Sequence, residues 1–278
     1  MSYKTILVHL DAGKRCDTRS ALAVRMALDF GAHLTALYAV SPPAIPGYVA
    51  VEFGEEFMQS YWRRQAEKGK DICKRFSDHA AKAGLPVAEA RVSAEDPVEA
   101  LQLHARYADL AVVGQHDPDD ELAMVPASFP ELAVLAAGRP VLLVPYAGTF
   151  PSIGERVLVA WSDTREAARA VTDALPLLQR AKKVMVFTVD AGRNGAPAAT
   201  AGQDISLYLA RHGVTVEAVP TQTAGIDIGS RLLSHAADLS ADLIVMGAYG
   251  HRRLRQLVLG GVTRSLMEQM TVPVLMSH

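Results

Sequence analysis

Four glycines near the end of the chain have the spacing of an anion-binding turn. They follow the apolar run 243–246, and the two pairs enclose residues 251–259. Residues without a Cβ let backbone N–H groups approach an anion closely and adopt positive φ angles. A helix is expected to begin at the second pair, so its free N–H groups and dipole would face the same anion. The pattern predicts a phosphate site, although it is also typical of plain turns. The glycines are Gly247, Gly250, Gly260 and Gly261.

This pattern, G-x2-G-x9-G, resembles the ATP-binding signature of the universal stress protein family, in which the last glycine is followed by Ser or Thr. Here the next residue is Gly261, and Thr263 could supply the missing hydroxyl instead. The flanking stretches ADLIVMG and VPVL, residues 241–247 and 272–275, also resemble the last two strands of the family. Neither the Walker A spacing nor the dinucleotide spacing G-x-G-x-x-G fits this turn.

The resemblance implies an adenine nucleotide, ATP, ADP or AMP, with or without Mg²⁺, held between the glycine turn and the end of an earlier strand. The usual family Asp at that strand end is replaced by Ser162, which forms hydrogen bonds but carries no charge. Val189 matches the position that lines the adenine, and is equally typical of a core residue. The implied nucleotide-binding residues are Ala160, Trp161, Ser162, Val189, Met246, Gly247, Gly250, His251, Arg252, Gly260, Gly261, Val262 and Thr263.

Short apolar strands alternate with amphipathic helices along the chain, and the series occurs twice. In the first series, strands are predicted at 5–10, 34–40, 87–92, 110–113 and 140–144, with helices at 17–30, 52–83 and 97–107. The second series begins at Arg156, and its first helix is predicted to be capped by Asp163, with Glu166 three residues later. The two copies share a similar stretch before the fourth turn, ADLAVVG at 108–114 and ADLIVMG at 241–247. This alternation predicts parallel, doubly wound sheets.

The repeat predicts two copies of one α/β domain, residues 1–147 and 154–278, separated by a short segment that contains glycine and proline. The resemblance implies five strands in the order 3-2-1-4-5 in each copy. It also implies pairing between the final strands of the copies, which would form an intramolecular pseudo-dimer; a further homodimer is left open. Ligands of such sheets bind beyond the carboxyl ends of the strands, between the first and fourth strands.

The two copies differ at the glycine turn. When their fourth strands are aligned, Asp117 lies opposite Gly250, and the later pair of glycines is replaced by Ala127 and Ser128. The first turn would repel a polyphosphate and the second would attract one. The first copy, which keeps the family Asp as Asp11, is therefore predicted to have a degenerate phosphate loop. Both charge runs are also typical of solvated surface: the acids are Asp117, Asp119, Asp120 and Glu121, and the bases are His251, Arg252, Arg253 and Arg255.

The amino-acid composition argues against some classes of partner and some locations in the cell. The 278 residues have a formal net charge of -2, which argues against nucleic acid as an electrostatic partner. No apolar run has the length of a membrane span, and the first strand begins so early that we expect no signal peptide. Cys16 and Cys73 have no metal-ligand spacing, so we interpret them as reduced thiols of a cytoplasmic protein.

No stretch of the sequence has the pattern of a catalytic or metal site. The nine histidines show no H-E-x-x-H spacing, and no Ser or Cys lies in a G-x-S-x-G motif. The predicted function is a stress-response regulator or sensor that binds an adenine nucleotide in its C-terminal copy. Two alternatives stay open: a nucleotide-free scaffold, suggested by Gly261 and Ser162, and an enzyme limited to slow ATP hydrolysis.

Overall fold

A computed structural model describes residues 2–41, 47–120, 122–123, 125–188, 198–219, 228–250 and 261–278. Its strands are β1 (Thr5–Leu10), β2 (His33–Ala39), β3 (Glu89–Ser93), β4 (Leu110–Gly114), β5 (Val141–Val144), β6 (Arg156–Trp161), β7 (Lys183–Thr188), β8 (Val216–Val219), β9 (Leu243–Gly247) and β10 (Val274–Ser277). Its helices are α1 (Cys16–Phe30), α2 (Gly47–Lys82), α3 (Pro97–Ala105), α4 (Phe129–Ala136), α5 (Arg165–Leu178), α6 (Ala198–Arg211), α7 (Ile228–Asp238) and α8 (Gly261–Gln269).

The chain forms two compact units, Lys4–Ala137 and Met1–Tyr3 with Gly138–His278. In the unit of Lys4–Ala137, the strand order is β3-β2-β1-β4 and these strands are parallel. In the other unit, the order is β5-β10-β9-β6-β7-β8, and only the β5–β10 pair in this series is antiparallel. The α/β class, the parallel strands and the repeated strand order are as predicted.

The final strands of the two copies, β5 and β10, pair with each other as the resemblance implied. Leu142 lies opposite Leu275 in this antiparallel pair, and both side chains are fully buried. Contacts therefore group β5 with the second copy, whereas the predicted domain ranges 1–147 and 154–278 follow the repeat in the sequence. Those ranges stay predictions.

The strands in the middle of each copy are buried on both faces, as expected where helices cover a sheet. Val157, Leu158 and Val159 in β6 are fully buried although their side chains alternate between the two faces of the strand. In the first copy, α2 packs against β2 and β3 and begins at Gly47, earlier than predicted. Ile72 and Phe76 on this helix are buried, and Phe57 and Trp62 are partly buried.

One aspartate in each copy ties the start of the fourth strand to the start of the first. The carboxylate of Asp109 accepts hydrogen bonds from the backbone N–H groups of Lys4 and Thr5, at 2.7 and 3.0 Å. The carboxylate of Asp242 accepts three such bonds, of 2.9 to 3.1 Å, from Gly154, Glu155 and Arg156. The repeated Ala-Asp-Leu sequence therefore has a structural role at the amino edge of each sheet.

Candidate functional site

The carboxyl ends of β6 and β9 lie side by side in the second copy. Ala160 is in register with Met246, and both side chains are buried. The strand order reverses here, because β7 follows on the far side of β6 and β10 on the far side of β9. Such a reversal creates a crevice in which the ligands of α/β proteins bind. The structure therefore brings Ala160 and Met246 together at the predicted location.

The turn after β6 carries two hydroxyl groups at the same end of the sheet as this crevice. Ser162 is half-buried, and its Oγ lies 3.3 Å from Oγ1 of Thr164. Thr164 caps α5, since its Oγ1 accepts a hydrogen bond of 3.2 Å from the N–H of Ala167. The predicted cap at Asp163 is wrong: this residue adopts φ of 51°, a left-handed conformation that Asp tolerates better than most residues.

The glycine turn packs directly against the start of α5. A Cβ added to Gly247 would lie 2.5 Å from the carbonyl carbon of Glu166 and would also meet the backbone of Ala167. A Cβ added to Gly250 would lie 2.8 Å from Oγ1 of Thr164 and 3.1 Å from Oε2 of Glu166. Glycine is therefore required at the first position for strand and helix to approach, and at the second for the turn to reach the helix start.

Glu166 places a buried carboxylate beside this turn, a feature that the sequence reasoning missed. Its Oε1 accepts a hydrogen bond from Nε of Arg165, whose side chain is 82% exposed. Burial by itself raises the pKa of Glu166, but hydrogen bonds from Arg165 and Thr164 outweigh it and hold the pKa below its ordinary value. The carboxylate is therefore ionised at neutral pH. The available signal was a carboxylate in the first turn of the helix that follows Ser162.

The remaining predicted residues are only partly covered by the structure. Val189, His251, Arg252 and Gly260 lie outside the described residues. Gly261 and Val262 are the first residues of α8, which begins at the second glycine pair as expected. Thr263, the proposed substitute for the missing hydroxyl, is buried in the first turn of this helix.

The corresponding strand end in the first copy is filled by an arginine. Arg19 is buried and donates hydrogen bonds to Oδ2 of Asp11 at 2.7 Å and to the carbonyl oxygen of His9 at 2.8 Å. Its guanidinium lies against Gly114, so a Cβ there would overlap it. Asp11 therefore faces an internal partner at the position where the family pattern suggests a nucleotide contact.

The acidic turn of the first copy also folds back onto this strand end. Oδ2 of Asp120 accepts a hydrogen bond of 2.6 Å from the N–H of Lys14, and its Oδ1 accepts one of 3.2 Å from Leu122. A Cβ on Gly13 would lie 2.8 Å from Oδ2 of Asp120. Asp120 is only 7% exposed, so the alternative of a purely solvated acidic surface is wrong for this residue.

His9, near the carboxyl end of β1, is a third buried polar residue at this strand end. Its ring is buried, lies 4.5 Å from the ring of Phe129, and leaves Nε2 without a hydrogen-bond partner among the described residues. Burial lowers the pKa of His9 to about 4, and Asp11 offsets this effect only in part. His9 is therefore neutral at physiological pH.

Two further classes of site are absent from the described ranges. No group of three or more His, Cys, Asp or Glu side chains among these residues is arranged to hold a metal ion. No helix in the same ranges combines the length and apolarity needed to cross a membrane.

Comparison with solved structures shows the same fold in other proteins. A universal stress protein from Archaeoglobus fulgidus DSM 4304 is 16% identical, with a TM-score of 0.75 over 98% of this chain and 95% of that chain. A functionally unknown protein from Pseudomonas aeruginosa PAO1 is 15% identical, with a TM-score of 0.59 over 99% of this chain and 92% of its own. At such identities the likeness shows the fold. Among curated proteins, none matches the chain significantly.

Family membership follows from the sequence match. The model of the universal stress protein family matches the chain twice, at residues 2–145 and at residues 154–278. These matches cover nearly the whole chain and coincide with the repeat of strands and helices. The chain therefore belongs to the universal stress protein family, with two family domains in tandem.

Proposed function

We propose that the second copy binds ATP or a related adenine nucleotide, and that the protein acts in the cytoplasm as a nucleotide-dependent sensor or regulator of a stress response. The observation that carries this proposal is the contrast between the two strand ends. His9 and Arg19 fill the end in the first copy, whereas Ala160 stands in the second copy at the position aligned with His9. The small side chain of Ala160 favours the second end for a ligand.

The chemistry around the second end suits a nucleotide. The hydroxyl groups of Ser162 and Thr164 lie together at the end of β6 and can bond a ribose or a phosphate. The start of α8 at Gly261 supplies free backbone N–H groups, which bind anions. The sequence 251–255 adds a histidine and three arginines, so the local charge favours a polyphosphate.

The proposal is tested by titrating ATP into the full-length protein in a calorimeter. Gly250→Asp places a carboxylate against Thr164 and Glu166, and we expect ATP affinity to fall by about tenfold or more. The control is Ala237→Asp, which introduces the same carboxylate in the same unit at an exposed residue of α7. ATP affinity equal to that of the native protein in folded Gly250→Asp would overturn the proposal.

A nucleotide-free scaffold is the second candidate, favoured by the loss of the usual family groups at Ser162 and Gly261. The two functions are distinguished by denaturing freshly purified protein and analysing the supernatant for nucleotide. ATP, ADP or AMP at near-stoichiometric amounts would exclude the scaffold. Slow ATP hydrolysis would be added to the proposal only if a measured turnover were abolished by Gly250→Asp.

A further inference from the structure

A cavity lies on one face of the sheet in the unit of Lys4–Ala137, between the amino-terminal parts of β1, β2 and β3 and the end of α3. Its volume is about 230 Å³, below the roughly 300 to 1,000 Å³ typical of sites for drug-sized ligands. Leu7 is an apolar part of its wall, and Tyr107, which is 79% exposed, lies at its rim. The cavity therefore suits a molecule of about the size of one sugar ring.

Two threonine hydroxyl groups line this cavity. Thr35 is only 8% exposed, and neither its Oγ1 nor that of Thr5 has a hydrogen-bond partner among the described residues. Burial of a hydroxyl group is costly unless another group or a bound molecule satisfies it. Each hydroxyl can donate one hydrogen bond and accept others. Both threonines therefore offer hydrogen bonds to a molecule in the cavity.

The charged side chains that line the cavity are paired with each other. Oε2 of Glu89 accepts hydrogen bonds from Nε and Nη2 of Arg91, at 3.1 and 2.5 Å, and its Oε1 lies 3.4 Å from Nε2 of His33. Nη1 of Arg91 lies 3.3 Å from Nδ1 of His104. Burial, and then the charge of Arg91, lower the pKa of His104, so this ring is neutral at pH 7. A neutral ligand fits such a lining better than an anion, because the guanidinium already has a carboxylate partner.

The corresponding positions in the second copy carry larger side chains. The registers of the strands align Arg156 with Thr5, and in the same way Met185 in β7 takes the position of Thr35 in β2. Met185 is fully buried. The guanidinium of Arg156 donates hydrogen bonds of 2.9 and 2.7 Å to the carbonyl oxygen of Leu239. The two small hydroxyl-bearing residues are therefore specific to the first copy and are not required by the repeated fold.

We propose that this cavity is a second ligand site, in which Thr5, Thr35 and Tyr107 bind a neutral polyhydroxylated molecule of about the size of a monosaccharide. The threonine hydroxyls and the neutral imidazole of His104 bond to hydroxyl groups of the ligand, and the exposed ring of Tyr107 lies against its apolar face. A ligand of this size predicts a dissociation constant on the order of 1 mM. The site is separate from the proposed nucleotide site, because its residues belong to the other unit.

The test is an NMR titration of isotope-labelled full-length protein with glucose, ribose and myo-inositol as probes. We expect at least one of these probes to shift the backbone amide signals of residues 5–7, 33–35 and 89–91 in a saturable manner. Inorganic phosphate and acetate at the same concentration should leave these signals unchanged.

Two variants of Thr35 separate its hydroxyl group from the space beside it. Thr35→Val keeps the shape of the side chain and removes the hydroxyl, so the affinity should fall about threefold to tenfold. Thr35→Met introduces the residue of the second copy, which should occupy the cavity and abolish the shifts. The matched control is Thr172→Met, at an exposed position of α5, which should bind the probe as the native protein does.

Absence of shifts at these residues with all three neutral probes would overturn the proposal, and so would native affinity in folded Thr35→Val or Thr35→Met. Shifts caused by phosphate or acetate, and not by the neutral probes, would overturn the assigned class of ligand. Gly250→Asp changes the other unit and should leave the shifts intact. Failure of this inference is therefore distinguishable from failure of the proposed nucleotide binding.

Discussion

The burial of His9 should make the folded protein less stable at acidic pH. It packs against Phe129 and lies near Asp11, its Nδ1 being 3.9 Å from Oδ2 of that carboxylate. The buried Arg19 guanidinium next to Asp11 opposes protonation of the ring, and burial opposes it more strongly. The folded protein therefore keeps His9 neutral in a pH range where the unfolded chain protonates it.

This difference predicts an acid-sensitive stability. The pKa of His9 is about 4 in the folded protein and 6.5 as a free side chain, so the unfolded state binds the additional proton. The free energy of unfolding is therefore unaffected by His9 well above pH 6.5 and decreases as the pH falls from 6.5 toward 4. The expected decrease between pH 7 and pH 5 is about 2 kcal/mol.

Urea unfolding at these two pH values measures the loss for the native protein and for His9→Leu. The variant should lose about 2 kcal/mol less than the native protein over this interval. Burial of Asp11 opposes its ionisation, but Arg19 and the other partners of the carboxylate lower its pKa, so its own titration lies below this interval. Equal losses in both proteins would contradict the prediction.

At the scale of elements, the fixed contacts of Asp242 hold β6 and β9 together at their amino ends. Asp242→Ala removes one acceptor from three backbone N–H groups, those of Gly154, Glu155 and Arg156. Lost hydrogen bonds to a charged group predict a decrease of about 2 to 4 kcal/mol in the free energy of unfolding.

The measurement is equilibrium unfolding in urea, with Asp238→Ala as the control. Asp238 is the exposed last residue of α7 in the same unit, and its replacement should change stability by less than about 0.5 kcal/mol. A similar small change for Asp242→Ala would show that water replaces its hydrogen bonds at no cost.

The elements were predictable because their signals are local. Apolar runs such as 243–246 identified the strands, and the repeated Ala-Asp-Leu identified the two copies. Proline and glycine residues indicated where the helices end. The cap of α5 was assigned one residue early because Asp and Thr both suit that role and only the backbone angles decide between them.

The side chains that occupy the carboxyl end of β1 could not be predicted in the same way. The contact between Asp120 and Lys14 joins residues far apart in the chain, and it exists only once the turn after β4 lies over the end of β1. Arg19 follows the sequence pattern of a helix face and gives no sign that it is buried against Gly114. The sequence showed only that the turn after β4 is acidic, whereas the structure shows the buried ion pair between Arg19 and Asp11.

At the scale of the whole molecule, β10 is the strand on which the unit of Gly138–His278 depends. It pairs with β5 on one side and with β9 on the other. Leu275 is fully buried between them, so Leu275→Asp introduces a charge with no partner into the core. We expect the free energy of unfolding to fall by more than about 4 kcal/mol.

Thermal unfolding and size-exclusion chromatography test this expectation. The control is Val87→Asp, at a residue that is 74% exposed, where the same charge should leave the melting temperature and elution volume nearly unchanged. A soluble Leu275→Asp protein with the native melting temperature would contradict a central role for β10.

The pairing of β5 with β10 also sets an order of events during synthesis. The ribosome completes residues 141–144 long before residues 274–276, and the register that joins them cannot form until the later segment has also been synthesised. Until then, β5 presents an apolar edge without its partner, the kind of surface that promotes association with other nascent chains. β10 therefore covers this edge only late in synthesis, and a chain that stopped before Val274 would leave β5 exposed.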